Sequence, residues 1–144
     1  MRKIKEFEEY IRDGVVEKRK SDIPRMKSLI EESEKSEEFL YEIKNNIGIQ
    51  DSNANNVIKL VYDIIMEKIR AIMMKEGYFA SGHGAHEAEV SYLRKLMFSE
   101  KDIQFCDELR YFRNGILYYG RTFDKDYAEK TILFLEKFED KIKL

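Results

Sequence analysis

The strongest constraint on the fold is a wide, mostly apolar stripe in the middle of the chain. Its members recur every three or four residues, which is the period of an α-helix that buries one side. They are Val57, Leu60, Val61, Ile64, Ile65, Lys68, Ile69, Ile72 and Met73. Polar capping residues at 51–53 and a glycine at position 77 fit the two ends of such a helix. The stripe therefore predicts a central core helix over residues 51–76.

Two helices are predicted before this stripe. Residues 2–12 form a short amphipathic pattern that Asp13 and Gly14 end. A longer helix begins near Ser21, where polar residues precede Pro24, and stops at the break over residues 45–48. Its middle, EESEKSEE, has almost no apolar residue. We expect that stretch to be a solvated helix face.

Three helices are predicted after the stripe. A short one follows the glycine-containing loop YFASGHGAH and covers residues 87–96, with Met97 turned inward. Ser99 and Asp102 resemble a capping box at the start of a helix that reaches Tyr119. Asp124 caps the last helix, and the residues expected on its buried side are Tyr127, Ile132, Leu135 and Phe138.

These patterns predict the fold class. No segment shows the alternation of β-branched residues that is typical of strands. The chain has 144 residues, which suits one domain with one core. We therefore expect an all-α bundle with short connections, forming a single domain over residues 1–144.

Charge and composition exclude several classes of protein. A formal net charge of −2 gives no global reason to bind nucleic acid or an anionic membrane, so such a partner needs a local patch. The N-terminal MRKIKEFEEY lacks the apolar core of a signal peptide, and charges interrupt the apolar stripe. We expect a cytoplasmic protein without a membrane partner.

The cysteine and histidine content points away from metal sites and disulfides. Cys106 is the single cysteine, so it cannot form an intrachain disulfide, and it is expected to be a small buried residue. His83 and His86 lie three residues apart, but no further ligand is spaced to complete a zinc site. We therefore predict no metal and no cofactor.

The densest chemistry lies in residues 110–120, RYFRNGILYYG. Residues four apart lie nearly in line on a helix, so Arg110, Asn114 and Tyr118 share one ridge. Arg113 lies about 100° round the helix from Asn114. The residues expected to face the core are Phe105, Leu109, Phe112, Ile116 and Tyr119.

The segment LRYFRNGILYYG resembles the signature helix of the HEPN superfamily, the higher eukaryote and prokaryote nucleotide-binding domains. The pattern in that family is an arginine, usually followed by asparagine, and a histidine four to six residues beyond the arginine. Arg113 and Asn114 match the first two positions, whereas the histidine position falls on Tyr118. The resemblance covers residues 51–144 as the HEPN-like core and the N-terminal helices of residues 1–50 only loosely.

The resemblance implies a fold and a class of function. It implies an up-and-down antiparallel helical bundle that forms a homodimer, with the motif helices facing each other across a cleft. Active HEPN proteins are metal-independent endoribonucleases, often toxins of toxin-antitoxin or defence systems. Other members bind RNA or nucleotides, or pair with a small nucleotidyltransferase.

The tyrosine changes the expected chemistry. Arg113 is suited to hold two phosphate oxygens, and Asn114 to orient it or to donate to the phosphate. An unperturbed tyrosine has a pKa near 10, so a neutral Tyr118 is a poor general base beside a histidine. We expect a homodimer that binds RNA or a nucleotide phosphate in the cleft between its two subunits, rather than fast cleavage. Arg110, Tyr119 and His86 are further candidate substrate contacts, with His86 a possible replacement for the base.

Other interpretations of the same residues stay open at this stage. The chain can be a weak or degenerate endoribonuclease, or a non-catalytic interaction subunit that pairs with a minimal nucleotidyltransferase. The polar residues of the motif helix can also form a satisfied structural network at a dimer interface. For Tyr111 and Tyr119 a role as core or interface aromatics is favoured, and the substrate contact of Tyr119 is the alternative.

Overall fold

The structure, a computed structural model, describes residues 3–142 and confirms an all-α helical bundle. Its α-helices are α1 (Phe7–Arg12), α2 (Ile23–Glu42), α3 (Ala54–Lys75), α4 (Ala85–Ser91), α5 (Glu100–Tyr119) and α6 (Lys125–Ile142). The shorter elements are β1 (Val16–Lys18), β2 (Tyr78–Ala80), a π-helical turn at Ile43–Ile47 and a 3₁₀ turn at Tyr92–Arg94. Among residues 3–142, no helix combines the length and the apolar character that crossing a bilayer requires.

The described residues group into two compact units. The first unit contains the described residues up to Glu32 together with Met66–Glu108. The second contains Ser33–Ile65 together with the described residues from Leu109 onward. The boundaries fall within α2, α3 and α5, so each of these helices supplies residues to both units.

The apolar stripe lies on α3, and most of its residues are buried, as predicted. Val57, Ile64, Ile65 and Ile69 are fully buried, and Lys68 is buried with them. The helix itself is slightly shorter than expected, beginning at Ala54 and ending at Lys75. The sequence therefore predicted the helix, but its burial extends beyond the stripe, because Ile58, Tyr62 and Met66 are buried as well.

The first unit contains a small antiparallel sheet that the sequence did not predict. Val16 pairs with Ala80, and Lys18 pairs with Tyr78. Each strand has three residues, which is too short for an alternating pattern to show. The two strands are also far apart in sequence, so only the folded chain brings them together.

Gly77 allows the chain to leave α3 for β2. It has a positive φ of +85°, and a Cβ at this position would lie 2.3 Å from the carbonyl oxygen of Arg19. The backbone N–H of Arg19 donates to the Gly77 carbonyl at 2.7 Å, so the two segments are in direct contact. Only glycine fits here without moving the neighbouring backbone.

Helix α1 packs an aromatic residue into the first unit. The Phe7 ring meets Tyr78 and Tyr92 edge-on, with centroid distances of 5.1 and 4.9 Å. The helix begins at Phe7 rather than at residue 2, and the predicted start at Arg2 lies outside the described residues. Burial of the aromatic ring therefore fixes α1 in this unit.

Helix α4 of the first unit ends earlier than expected. Instead of covering residues 87–96, it runs over Ala85–Ser91 and continues as the 3₁₀ turn. Met97 has a φ of +67° and is exposed. The predicted inward orientation of Met97 is therefore wrong, because the chain has left the helical period before reaching it.

The helix ends of the second unit are capped by side chains. Asp124 accepts a hydrogen bond from the Tyr127 N–H at 2.9 Å, as predicted for the start of α6. Asp51, expected to cap α3, instead accepts from the Lys125 N–H at 2.8 Å. Both aspartates thus satisfy free amides in the first turn of α6, where a negative charge is favourable.

Two further predictions hold in α2 and α6. Most of the EESEKSEE stretch in α2 is exposed, with Ser33 its one buried residue. In α6, Ile132, Leu135 and Phe138 lie on the buried side as predicted, whereas Tyr127 is only half-buried.

Candidate functional site

The end of α5 presents an exposed aromatic face. Tyr118 and Tyr119 are 71% and 82% exposed, and Tyr111 is also exposed. The expectation that Tyr119 faces the core is wrong, because α5 ends at this residue and Gly120 turns the chain with a φ of +64°. Tyr111 and Tyr119 are therefore not core aromatics of this chain, and their role at an interface stays a prediction.

The segment after α5 is fixed by an asparagine of α3. The Asn55 side chain donates to the Arg121 carbonyl and accepts from the Phe123 N–H, both at 2.9 Å. The Arg121 N–H donates to the Gly115 carbonyl at 3.2 Å. The two hydrogen bonds of Asn55 tie the segment to α3, and the third ties the backbone of Arg121 to α5.

The side chain of Arg121 packs over a glycine of α5. A Cβ at position 115 would lie 2.7 Å from Cδ of Arg121, so the absence of a side chain at Gly115 makes room for the arginine. The guanidinium lies over the rings of Phe112 and Phe123, at 5.0 and 5.2 Å from their centroids. No described residue accepts a hydrogen bond from this guanidinium. Packing therefore holds the side chain while its donors stay available.

A groove of about 530 Å³ lies along this face. Its lining residues are Tyr111, Asn114, Gly115, Tyr118, Tyr119 and Arg121. Among residues 3–142, nothing forms a side-chain hydrogen bond with Asn114 or Tyr118. The groove thus combines three aromatic side chains with an amide, a hydroxyl and a guanidinium whose hydrogen-bonding groups are open.

Arg113 does not line this groove. Its Nη2 lies 3.4 Å from Oδ1 of Asp63, and its guanidinium lies 5.4 Å from the centre of the Tyr62 ring. The side chain is 26% exposed, and its Nε is buried without a hydrogen-bond partner among the described residues. The structure therefore directs Arg113 toward α3, whereas Asn114 and Tyr118 face the groove.

The remaining predicted site residues lie elsewhere. Arg110 is half-buried and is not among the groove residues. His86 belongs to the first unit, where its Nδ1 lies 3.5 Å from a carboxylate oxygen of Glu89. Cys106 is fully buried, as expected. Of the six predicted site residues, the groove brings together Asn114, Tyr118 and Tyr119.

Sequence reasoning missed Arg121. It lies after the helix, in a segment without periodicity, so no pattern predicted the direction of its side chain. A usable signal was the glycine at position 115 inside a helix, where glycine is unfavourable and often marks a close packing contact.

A second groove in the same unit is larger but chemically less suited to a ligand. It has a volume of about 650 Å³ and contains Asp51 and Asp124. Both carboxylates already accept backbone hydrogen bonds of α6. These acidic side chains serve as helix caps, so we do not assign a site there.

The described part of the chain contains no candidate metal site. Within residues 3–142, no three side chains of the His, Cys, Asp or Glu type lie close enough together to hold a metal ion.

No protein-family model, no curated protein and no solved structure matches this chain. The resemblance to HEPN domains therefore depends on the residues of α5 and on the helical fold alone.

Proposed function

We propose that the chain binds single-stranded RNA in the groove at the end of α5. The observation that supports this most is Arg121, whose guanidinium has no acceptor among the described residues and which lines the same groove as three exposed tyrosines. Single-stranded nucleic acid is held by this combination, in which aromatic rings stack on bases and cations contact the phosphates.

The tyrosines provide the stacking surface. Tyr118 and Tyr119 lie at adjacent positions of α5 and expose most of their rings, while Tyr111 lies about two turns earlier on the same side. Stacking on a base requires an accessible ring face and does not require a particular base. We expect RNA binding with little sequence preference.

Arg121 and Asn114 provide the polar contacts. A guanidinium binds two phosphate oxygens at once and stays charged at every physiological pH. The Asn114 amide lines the same groove and supplies a second donor for the RNA backbone. In this proposal the phosphate contact that the family pattern gives to Arg113 is made by Arg121.

A single chain is not expected to cleave RNA rapidly. Arg113 and Tyr118 lie about 140° apart around α5, so a single helix does not direct them to the same phosphate. A site that uses both residues needs a second copy of the chain related by a twofold axis. The homodimer implied by the HEPN resemblance would supply this second copy. Any weak metal-independent cleavage is therefore expected only of the dimer.

The test is titration of a fluorescently labelled, unstructured RNA oligonucleotide, followed by anisotropy. Replacement Arg121→Gln removes one charged phosphate contact and is expected to weaken binding about tenfold. The control is Arg12→Gln, which changes the net charge equally at an exposed arginine of the first unit. Equal affinities of wild type and Arg121→Gln would contradict the proposal.

A second candidate is the interaction subunit, favoured by exposed apolar side chains near the end of α5. Leu117 is exposed, as are its neighbours in sequence Tyr118 and Tyr119, and exposed apolar surface often marks a protein interface. The partner would be a second copy or a minimal nucleotidyltransferase. A complex whose affinity does not change between low and high salt would favour a protein partner, because RNA binding weakens with salt.

A further inference from the structure

We propose that a second cavity, in the first unit, binds the phosphate group of a small phosphorylated molecule. The cavity has a volume of about 290 Å³. Its lining residues are Arg19, Arg25, Arg70, Met73, Met74, Tyr78, Phe79, Ala80 and Ser81. Three of these are arginines and none is acidic, so the lining is built for an anion.

Arg25 is the cation with open donors. It lies in the first turn of α2, where its backbone N–H donates to Oδ1 of Asp22 at 3.1 Å. None of residues 3–142 forms an ion pair or hydrogen bond with its guanidinium. The Ser81 hydroxyl, which also lines the cavity, has no hydrogen-bond partner in the same part of the chain. A bound anion would therefore gain these two donors without breaking a contact.

Arg70 is held in place by a buried carboxylate. Its Nε and Nη2 donate to the two oxygens of Glu89 at 2.6 and 3.0 Å, a bidentate arrangement that fixes the plane of the guanidinium. The Glu89 side chain is 3% exposed. Burial alone would raise the pKa of Glu89, but hydrogen bonds with His86 and Arg70 outweigh it and lower that pKa below its ordinary value. Glu89 thus stays ionised and orients Arg70.

Arg19 is paired more weakly and can change partner. Its Nε and Nη2 each lie 2.9 Å from one oxygen of Glu17, and both side chains are more than half exposed. Ion pairs of this kind contribute little to stability. The guanidinium also lies 5.0 Å from the centre of the Phe79 ring, which keeps it at the cavity. A phosphate can replace the Glu17 carboxylate at small cost.

The lining determines the class of ligand. A phosphomonoester carries a charge of about −1.5 to −2 at pH 7 and three strong acceptor oxygens, which match several guanidinium groups better than a single carboxylate would. Met73 and Met74 are buried, and with Phe79 they form an apolar wall for the body of the ligand. The volume lies near the lower limit of about 300 Å³ for small-molecule sites, so the ligand is small.

The experiment is isothermal titration of the full chain with three probes: adenosine monophosphate, inorganic phosphate and adenosine. We expect the monophosphate to bind at least about tenfold more tightly than adenosine, because adenosine lacks the charged group. Inorganic phosphate should compete with the monophosphate if the phosphate group supplies the recognition. Equal binding of adenosine and its monophosphate would overturn the proposal, and so would no binding of either phosphate at about 1 mM.

Variants separate this cavity from the groove of the second unit. Arg25→Gln should weaken the monophosphate about tenfold and leave RNA affinity within about twofold of wild type. Arg121→Gln should instead weaken RNA binding about tenfold and leave the affinity for the monophosphate within about twofold of wild type. Because the Arg25 side chain has no partner among the described residues, the variant is expected to fold normally, as circular dichroism would show. Monophosphate binding that survives Arg25→Gln but not Arg121→Gln would place the ligand in the groove and contradict the second site.

Discussion

Two arginines, one in each unit, differ in whether the fold occupies their hydrogen-bond donors. Arg94 of the first unit is 13% exposed, and all three nitrogens of its guanidinium donate hydrogen bonds. Its guanidinium donates to both Glu100 oxygens at 2.9 and 3.0 Å and to the backbone carbonyls of Ile4 and Lys5 at 2.8 and 2.6 Å. The hydrogen bond with Glu100 raises the pKa of Arg94 further.

Arg121 of the second unit has the opposite arrangement. Packing on Gly115 and on two phenylalanine rings holds its side chain, and no described residue accepts from its guanidinium. An arginine with occupied donors joins segments of the fold. An arginine that is positioned but has open donors can bind an anion without first losing a partner. The difference therefore separates a structural role from a binding role.

The largest effect is expected when the structural arginine is removed. Arg94→Ala should lower the free energy of unfolding by about 2–4 kcal/mol, because several charged hydrogen bonds and two backbone acceptors lose their partner. Urea denaturation would measure the loss, with Arg12→Ala as the exposed control. RNA affinity of the folded variant should stay within about twofold of wild type, since this arginine lies outside the groove. A loss of stability as small as that of the control would contradict the structural role.

The ring of Tyr118 tests whether stacking contributes to RNA binding in the groove. Tyr118→Ala should weaken RNA binding by a factor between about five and about a hundred, the range for one stacked base. Tyr118→Phe should stay within about twofold of wild type if the ring face makes the contact. Tyr41→Ala is the matched control, because Tyr41 is an exposed tyrosine of α2 in the same unit. Equal losses for the alanine and phenylalanine variants would show that the hydroxyl makes the contact instead.

A methyl group at position 115 tests whether the space over Gly115 positions Arg121. Gly115→Ala should displace Arg121 and weaken RNA binding about fivefold, with little loss of stability because alanine favours a helix by about 1 kcal/mol over glycine. The check is a double-mutant cycle measured by RNA titration. Combined with Arg121→Gln, the alanine should cause no further loss. Additive losses would mean that Gly115 acts independently of the arginine.

The smallest effect is expected for Arg113. Its ion pair with Asp63 is partly exposed, so Arg113→Ala should change the free energy of unfolding by less than about 1 kcal/mol. RNA affinity should change less than about twofold, because the side chain does not line the groove. Binding and denaturation measurements on this variant check both values. A loss as large as that of Arg121→Gln would show that Arg113 leaves Asp63 to hold a phosphate, as the HEPN resemblance implies.

The fold was predictable where apolar residues recur at helical spacing over several turns. The stripe of α3 predicted that helix because its apolar positions repeat over several turns. The strands β1 and β2 were not predictable, since their pairing depends on contacts between distant segments. The role of Asp51 was missed for the same reason, because the helix it caps follows much later in the sequence.

The site was predictable only in part. Helical spacing correctly placed Asn114 and Tyr118 on one ridge, and both line the groove. It failed for Tyr119, because the helix ends there and no further turn covers the ring. It gave no information on Arg121, whose position depends on Asn55 and on the space over Gly115.

The salt dependence of RNA binding tests most directly whether Arg121 contacts a phosphate. Affinity is measured from low to physiological salt for wild type, Arg121→Gln and the control Arg12→Gln. If Arg121 contacts a phosphate, the plot of log affinity against log salt for Arg121→Gln should be shallower than for wild type by about 0.7, the value for one contact to a single strand. The slope of the control should equal that of wild type. The same slope for all three proteins would contradict the account, because Arg121 would then make no phosphate contact.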